Sequence, residues 1–291
     1  MKNTSSRNWP FWLELLCVAL VGALAGTLLG LLLVACAPMA DPLVMVELPA
    51  AGVEATVKSY QPFVDYLSQE LDQPVEFKVV TDYAAGIEAL KYGHADIIRL
   101  GPSGFVLAEN EVDFIPIASI ANPDGTPMTY RAQIITRPGL TTLEGATLAY
   151  VDIGSASGYL LPATYIKKSG TELGKIFFAG THPAVIEAVR NGTVDAGATC
   201  DTRMIAAIEQ GVIGSDELAV FWEGEPVIRG SIVVRADMPE DLRLEIQAAF
   251  LSTPTDIVMH CGLGNERWGD PPPSRAYDPI REVQAYLGLT E

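Results

Sequence analysis

The residues best placed to do chemistry are small and uncharged: Gly154, Ser155, Ala156, Ser157 and Gly158, in the order GSASG. An apolar run, Thr147–Val151, leads into them and a helical pattern follows. A strand, a tight loop and a helix starting where the loop ends bring free backbone N–H groups and hydroxyls to one point. The positive end of the helix dipole faces the same point. No Lys or Arg lies between Ala149 and Ile166, so a small anion would be held there by neutral donors alone. Such a loop suits reversible capture of an oxyanion better than reaction with it. The plainer reading, in which Ser155 or Ser157 only caps the helix, is compatible with that role.

The elements around this loop alternate between strand and helix. Val44–Leu48, Val75–Val80, Ala95–Leu100 and Phe114–Ile120 read as strands. Helices are expected over Phe63–Leu71 (after Pro62), Asp82–Tyr92 and Ser103–Glu109, with a turn at Asn122–Gly125. Met128–Arg137, Val194–Thr199, Ala219–Trp222 and Val227–Arg235 continue the strands. Pro183–Arg190, Asp201–Gln210, Pro239–Leu251, Thr255–Cys261 and Pro279–Leu287 continue the helices. Regular alternation implies parallel sheets covered by helices, with ligands bound at the carboxyl ends of the strands. Gly101-Pro102-Ser103, Gly154–Gly158 and Gly180-Thr181-His182 all fall at such ends and are expected to converge on one cleft.

Composition narrows the partners. A net charge of −17 argues against nucleic acid or an anionic membrane surface as partner, and it repels an anionic ligand at long range. Capture would depend on local dipoles. At the amino terminus, Lys2 and Arg7 precede an uncharged run from Leu15 to Ala35, which ends in Leu33-Val34-Ala35-Cys36. A basic region, an apolar stretch and small residues before a cut describe an export signal over residues 1–35. The Cys after the cut resembles the lipid-bearing residue of bacterial lipoproteins, which assigns lipidation to Cys36 and a short tether to residues 36–41. An uncleaved membrane anchor is the alternative, because the run is long enough to span a bilayer. Both place the rest of the chain outside the cytoplasmic membrane. Cys200 and Cys261 are then the two cysteines left in the mature chain, a possible disulfide in an oxidising compartment. There is no CxxC, HExxH or clustered His/Cys, so no metal and no cofactor are expected.

Taken together, TDYAAGIEAL (Thr81–Leu90), GHADIIRLGPSGF (Gly93–Phe105), Asp124-Gly125 spaced to Tyr130, DIGSASGYLLP (Asp152–Pro162), FFAGTHPAVIEAVRNGTVDAG (Phe177–Gly197) and RADMPEDL (Arg235–Leu242) resemble the solute-binding proteins of phosphonate-, phosphite- and phosphate-type ABC transporters. These form a branch of the type 2 periplasmic binding proteins, and the motifs occur in the family's order over about residues 42–252. The resemblance implies a two-lobed α/β fold with the ligand between lobes joined by two crossover strands, Met128–Arg137 and Val227–Val234. Residues 42–131 and 229–291 would form one lobe and residues 132–228 the other.

By the same resemblance, Ser155, Ser157 and the amides of Ala156 to Gly158 hold a phosphorus oxyanion. Tyr83 and Tyr130 line the pocket, His182 contributes a donor, and Ser103 lies at the same cleft. The protein would act as a monomer that hands its ligand to an ABC permease. Two positions depart from the pattern. Ala156 replaces a hydroxyl residue between the two serines. Val227–Ser231 lacks the family's acidic residue and carries Arg229, which would favour a more fully ionised or carboxylate-bearing anion. Arg99 reads as half of an ion pair, and Asp201 as a helix cap. A ligand sensor that signals to a membrane partner would have the same fold and pocket. A secreted hydrolase fits less well, because no GxSxG nucleophile turn is present.

Overall fold

The strand–helix alternation builds two sheets, not one. The computed structural model describes residues 41–48, 52–263 and 266–289. The leader and Cys36 lie outside the described residues. Strands β1 (Leu43–Glu47), β2 (Val75–Val79), β3 (Ile97–Leu100), β4 (Phe114–Ala121), β10 (Ser231–Arg235) and β11 (Arg267–Gly269) form a six-stranded sheet in the order β11-β4-β10-β3-β1-β2. Strands β5 (Thr129–Thr136), β6 (Thr147–Tyr150), β7 (Lys175–Phe178), β8 (Ala196–Cys200) and β9 (Ala219–Ile228) form a five-stranded one, β7-β6-β8-β5-β9.

Both sheets are mixed, which corrects the expectation of purely parallel ones. β1 pairs in parallel with β2 and β3, and β6 with β7 and β8. β10 runs antiparallel to β3 and β4, and β5 antiparallel to β8 and β9. β11 is reversed as well, antiparallel to β4. β10 and β5 are the strands that the chain enters on changing sheets. It passes from β4 to β5 through the turn at Asn122–Gly125, closed by Asn122 N–H donating to the Thr126 carbonyl over 2.9 Å. It returns from β9 to β10 through Arg229 and Gly230 alone. The second crossover is therefore two strands in two sheets, not the single run Val227–Val234. A side chain at Gly230 would overlap the Leu100 carbonyl oxygen, so this close approach requires glycine.

Helices cover both faces of each sheet. Successive strand residues point to opposite faces. Met45, Ile97 and Val234 thus join one core with Phe63, Leu67 and Phe250, while Val46, Ile98 and Val233 join another with Phe105 and Tyr277. Helix α1 (Val53–Glu70) begins well before Pro62, not after it. The proline lacks the N–H for one helical bond, but the face Thr56, Tyr60, Phe63, Val64 and Leu67 is buried on both sides of it. That burial carries the helix through.

The Cys200–Cys261 disulfide is not formed. Both are buried free thiols: Cys200 ends β8 in the second sheet, and Cys261 packs in the first sheet's core beside Phe63 and Phe250. Cys200 Sγ lies instead 3.4 Å from Thr202 Oγ1.

Candidate ligand-binding site

The carboxyl ends of the parallel strands from both sheets face one cavity of about 150 Å³. An apolar cavity of roughly that size holds a molecule such as benzene, and drug-sized pockets are larger. The site fits a ligand of a few heavy atoms.

Five helices begin at its wall. From the first sheet come α2 (Tyr83–Lys91), capped by Asp82, and α3 (Pro102–Glu109), preceded by Gly101. From the second come the turn Ala156–Leu160 that opens α4 (Leu161–Ser169), α5 (His182–Arg190) and α6 (Asp201–Glu209). First-turn residues of all five line the cavity: Tyr83, Ser103, Ser157, His182 and Arg203 among them. Each helix end directs unpaired N–H groups and a partial positive charge inward. The strand–helix alternation is what places them there.

The loop after β6 is fixed by its own bonds. Asp152 Oδ1 accepts from Gly154 N–H over 2.7 Å, and Ser155 Oγ accepts from Gly158 N–H over 3.0 Å. The amides of Tyr159 and Leu160 both donate to the Ser155 carbonyl, so the helix opens as a wide π-turn. The amides of Ala156 and Ser157 have no intrahelical acceptor. Ser155 and Ser157 are each 3% exposed and both line the cavity, as does Ala156.

Gly158 does not line it. Its amide is used by Ser155, and a side chain there would run into Val151 and Ser155 Oγ. Gly158 thus seats the helix on the strand end and does not hold a ligand, which corrects the sequence-based expectation.

The remaining expected residues converge on the cavity: Tyr83, Ser103, Tyr130, His182 and Arg229 are all in its wall. The Tyr83 ring packs on Gly154, where a Cβ would lie 2.9 Å from the ring, so a helix of the first sheet covers the serine loop of the second. Burial raises the Tyr83 phenol pKa, with Arg99 opposing, and raises that of Tyr130; Ser155 and Ser157 respectively are their hydrogen-bonding neighbours. Both phenols stay protonated. The Ser103 hydroxyl is buried without a hydrogen-bond partner among the described residues. His182 Nδ1 lies 3.0 Å from Thr199 Oγ1. Burial, aided by the charge of Arg203, pushes its pKa down to about 3, so the imidazole is neutral.

Arg229 is at the cavity but already engaged. Its Nη1 donates to both Glu266 carboxylate oxygens, over 2.6 and 2.8 Å. Arg99 is likewise paired: Nε and Nη2 hold the two oxygens of the buried Glu47 over 2.7 and 2.6 Å, and the Tyr60 hydroxyl donates to the same carboxylate over 3.0 Å. Arg203, which sequence reasoning passed over, is the cavity's third guanidinium. It makes no hydrogen bond or ion pair with any described residue. The signal that could have found it is its place in the first turn after a strand end.

Comparison with known proteins agrees with this geometry. Residues 45–261 match the family model described as the ABC transporter, phosphonate, periplasmic substrate-binding protein. The chain is 27% identical to the phosphate-import protein PhnD of Mycolicibacterium smegmatis, over 84% of this chain and 85% of that one. It is 22% identical to a probable phosphite-binding ABC transporter protein, PhnD1, of Prochlorococcus marinus, over 60% and 63% of the two chains. The solved structure of PhnD1 from Prochlorococcus marinus in complex with methylphosphonate superposes with a TM-score of 0.76 at 20% identity, covering 85% of this chain and 98% of that one. The two-sheet architecture is that of the type 2 periplasmic binding proteins. The chain belongs to the phosphonate-type substrate-binding proteins of ABC transporters, which work outside the cytoplasmic membrane and are not enzymes.

Proposed function

We propose that this chain captures a small phosphorus oxyanion, namely phosphate, phosphite or a short phosphonate, and delivers it to an ABC permease. The observation that carries this reading is the ring of helix starts. Unpaired amides, the Ser155, Ser157 and Ser103 hydroxyls and the neutral His182 meet in a cavity sized for a few heavy atoms. Tetrahedral oxyanions present several acceptors in different directions, and donors arriving from five helices suit that shape.

In this reading, residues 42–131 with 229–291 and residues 132–228 are the two lobes, and they rotate about the turn before β5 and about Arg229–Gly230. The chain works as a monomer, tethered through a lipid on Cys36 after removal of residues 1–35. The leader's Leu33–Cys36 sequence supports that anchoring.

The test is calorimetry of the mature chain with phosphate, phosphite, methylphosphonate, sulfate and acetate. Saturable binding of at least one phosphorus oxyanion, tighter than that of sulfate and acetate, is the expected result. Binding of sulfate or acetate alone would refute it.

A further inference from the structure

The charged groups around the cavity nearly balance in number, but not all of them are paired with each other. Glu47 is answered by Arg99, and Glu266 by Arg229. Asp82 accepts from Ala85 N–H and from the Thr81 hydroxyl, and Asp152 accepts from Gly154 N–H, so both carboxylates serve the backbone or a neighbour. That leaves Arg203, half-buried in the first turn of α6 and unpaired among the described residues. Its charge acts on His182, Arg229 and Glu266, which places it on that side of the cavity. The two tyrosines that flank the serines are instead influenced by Arg99 and Arg229. A partly desolvated guanidinium without a counter-charge favours an anion, and its planar fork suits a carboxylate bidentately.

We infer that Arg203 selects a ligand with a second ionised group: a short phosphonate carrying a carboxylate, whose phosphoryl end sits at Ser155–Ser157 while the carboxylate meets Arg203. This rests on the proposed capture of phosphorus oxyanions and deepens it. Two features favour a second group over a single oxyanion shared by both ends. The serine loop supplies neutral donors of its own, the Ala156 and Ser157 amides and two serine hydroxyls. The cavity, at about 150 Å³, has room beyond a phosphoryl group. Arg229, which the sequence suggested for this role, already has its charge answered by Glu266.

The test is calorimetry with two probes, methylphosphonate and phosphonoacetate, on the wild-type chain and on Arg203→Gln. Wild type binds phosphonoacetate the more tightly of the two. Arg203→Gln weakens phosphonoacetate by about tenfold to a hundredfold, the range for a hydrogen bond to a charged group, and weakens methylphosphonate much less. Circular dichroism confirms that the variant folds. Equal weakening of both probes would place Arg203 on the phosphoryl group and overturn the inference, as would no effect on either. In both of those outcomes methylphosphonate still binds, so oxyanion capture stands. Failure of the wild type to bind methylphosphonate, phosphonoacetate, phosphate or phosphite would instead remove the underlying function.

Discussion

The two walls of the cavity solve different problems. On the first-sheet side, Glu47 at the end of β1 is 1% exposed and locked by Arg99 and the Tyr60 hydroxyl. These charges face each other, and little of them is left for a ligand. On the second-sheet side, Ser155, Ser157 and His182 are neutral, and the opening amides of the loop helix are unspent. The difference teaches that paired charge serves the scaffold, while neutral dipoles and Arg203, unpaired among the described residues, are what the second wall leaves for a ligand. A fixed cation opposite every oxygen would hold an anion tightly and release it slowly; neutral donors around a doubly paired frame avoid that.

Arg99→Ala tests the contrast most severely. Removing one partner of a buried pair leaves Glu47 uncompensated, which typically costs about 3–5 kcal/mol. The urea midpoint should fall accordingly, and Glu47→Gln added to Arg99→Ala should recover part of the loss. Anion affinity of the folded fraction should change far less than stability does. The reverse pattern, affinity lost with stability kept, would show that Arg99 itself binds the ligand.

Ser157→Ala should behave in the opposite way. A neutral hydroxyl donating to an anion contributes about 1.5–3 kcal/mol, so phosphate or methylphosphonate binding should weaken roughly tenfold to a hundredfold. Its thermal midpoint without ligand should stay close to that of the wild type. Unchanged affinity in both Ser155→Ala and Ser157→Ala would break the distinction between the walls.

The smallest effect concerns His182 and pH. Its folded pKa of about 3 lies below the unfolded value near 6.5. Its contribution to stability is therefore complete above about pH 6.5 and is lost progressively as pH falls toward 3. Urea midpoints between pH 7 and pH 4 should decline less steeply in His182→Gln than in wild type. Parallel declines would mean that the imidazole is protonated in the native protein.

Much of this could be read in the sequence, because strand ends and helix caps are local. Thr181 and the GSASG loop mark places where a helix begins after a strand, as does Thr81, read as a cap one residue before the actual cap Asp82, and Tyr83, Ser103, Tyr130, Ser155, Ser157 and His182 all reach the cavity. What escaped was set by contacts distant in sequence. Arg99 finds Glu47 across 52 positions, and Arg229 finds Glu266 across 37. Nothing in the Val227–Ser231 segment reveals that its arginine is occupied. Gly158 was misread because a glycine beside a ligand loop and one beside a valine look alike until Val151 is placed. Arg203 escaped because an arginine in a helix pattern resembles a solvated one. The two cysteines followed compartment logic, which says nothing about the separation of β8 from the first-sheet core.

The Tyr83 ring resting on Gly154 has a kinetic consequence. One sheet's helix supplies the ring and the other sheet's strand end the loop, so under the proposed capture a bound ion would leave only after the two separate. Its residence time would then be set by how often that contact parts, and its entry rate by diffusion while the contact is open. Ligands of different chemistry would differ mainly in how long they stay, as related complexes usually do. A smaller side chain at position 83 would shorten every stay together, leaving the order of preference among anions to the loop beneath.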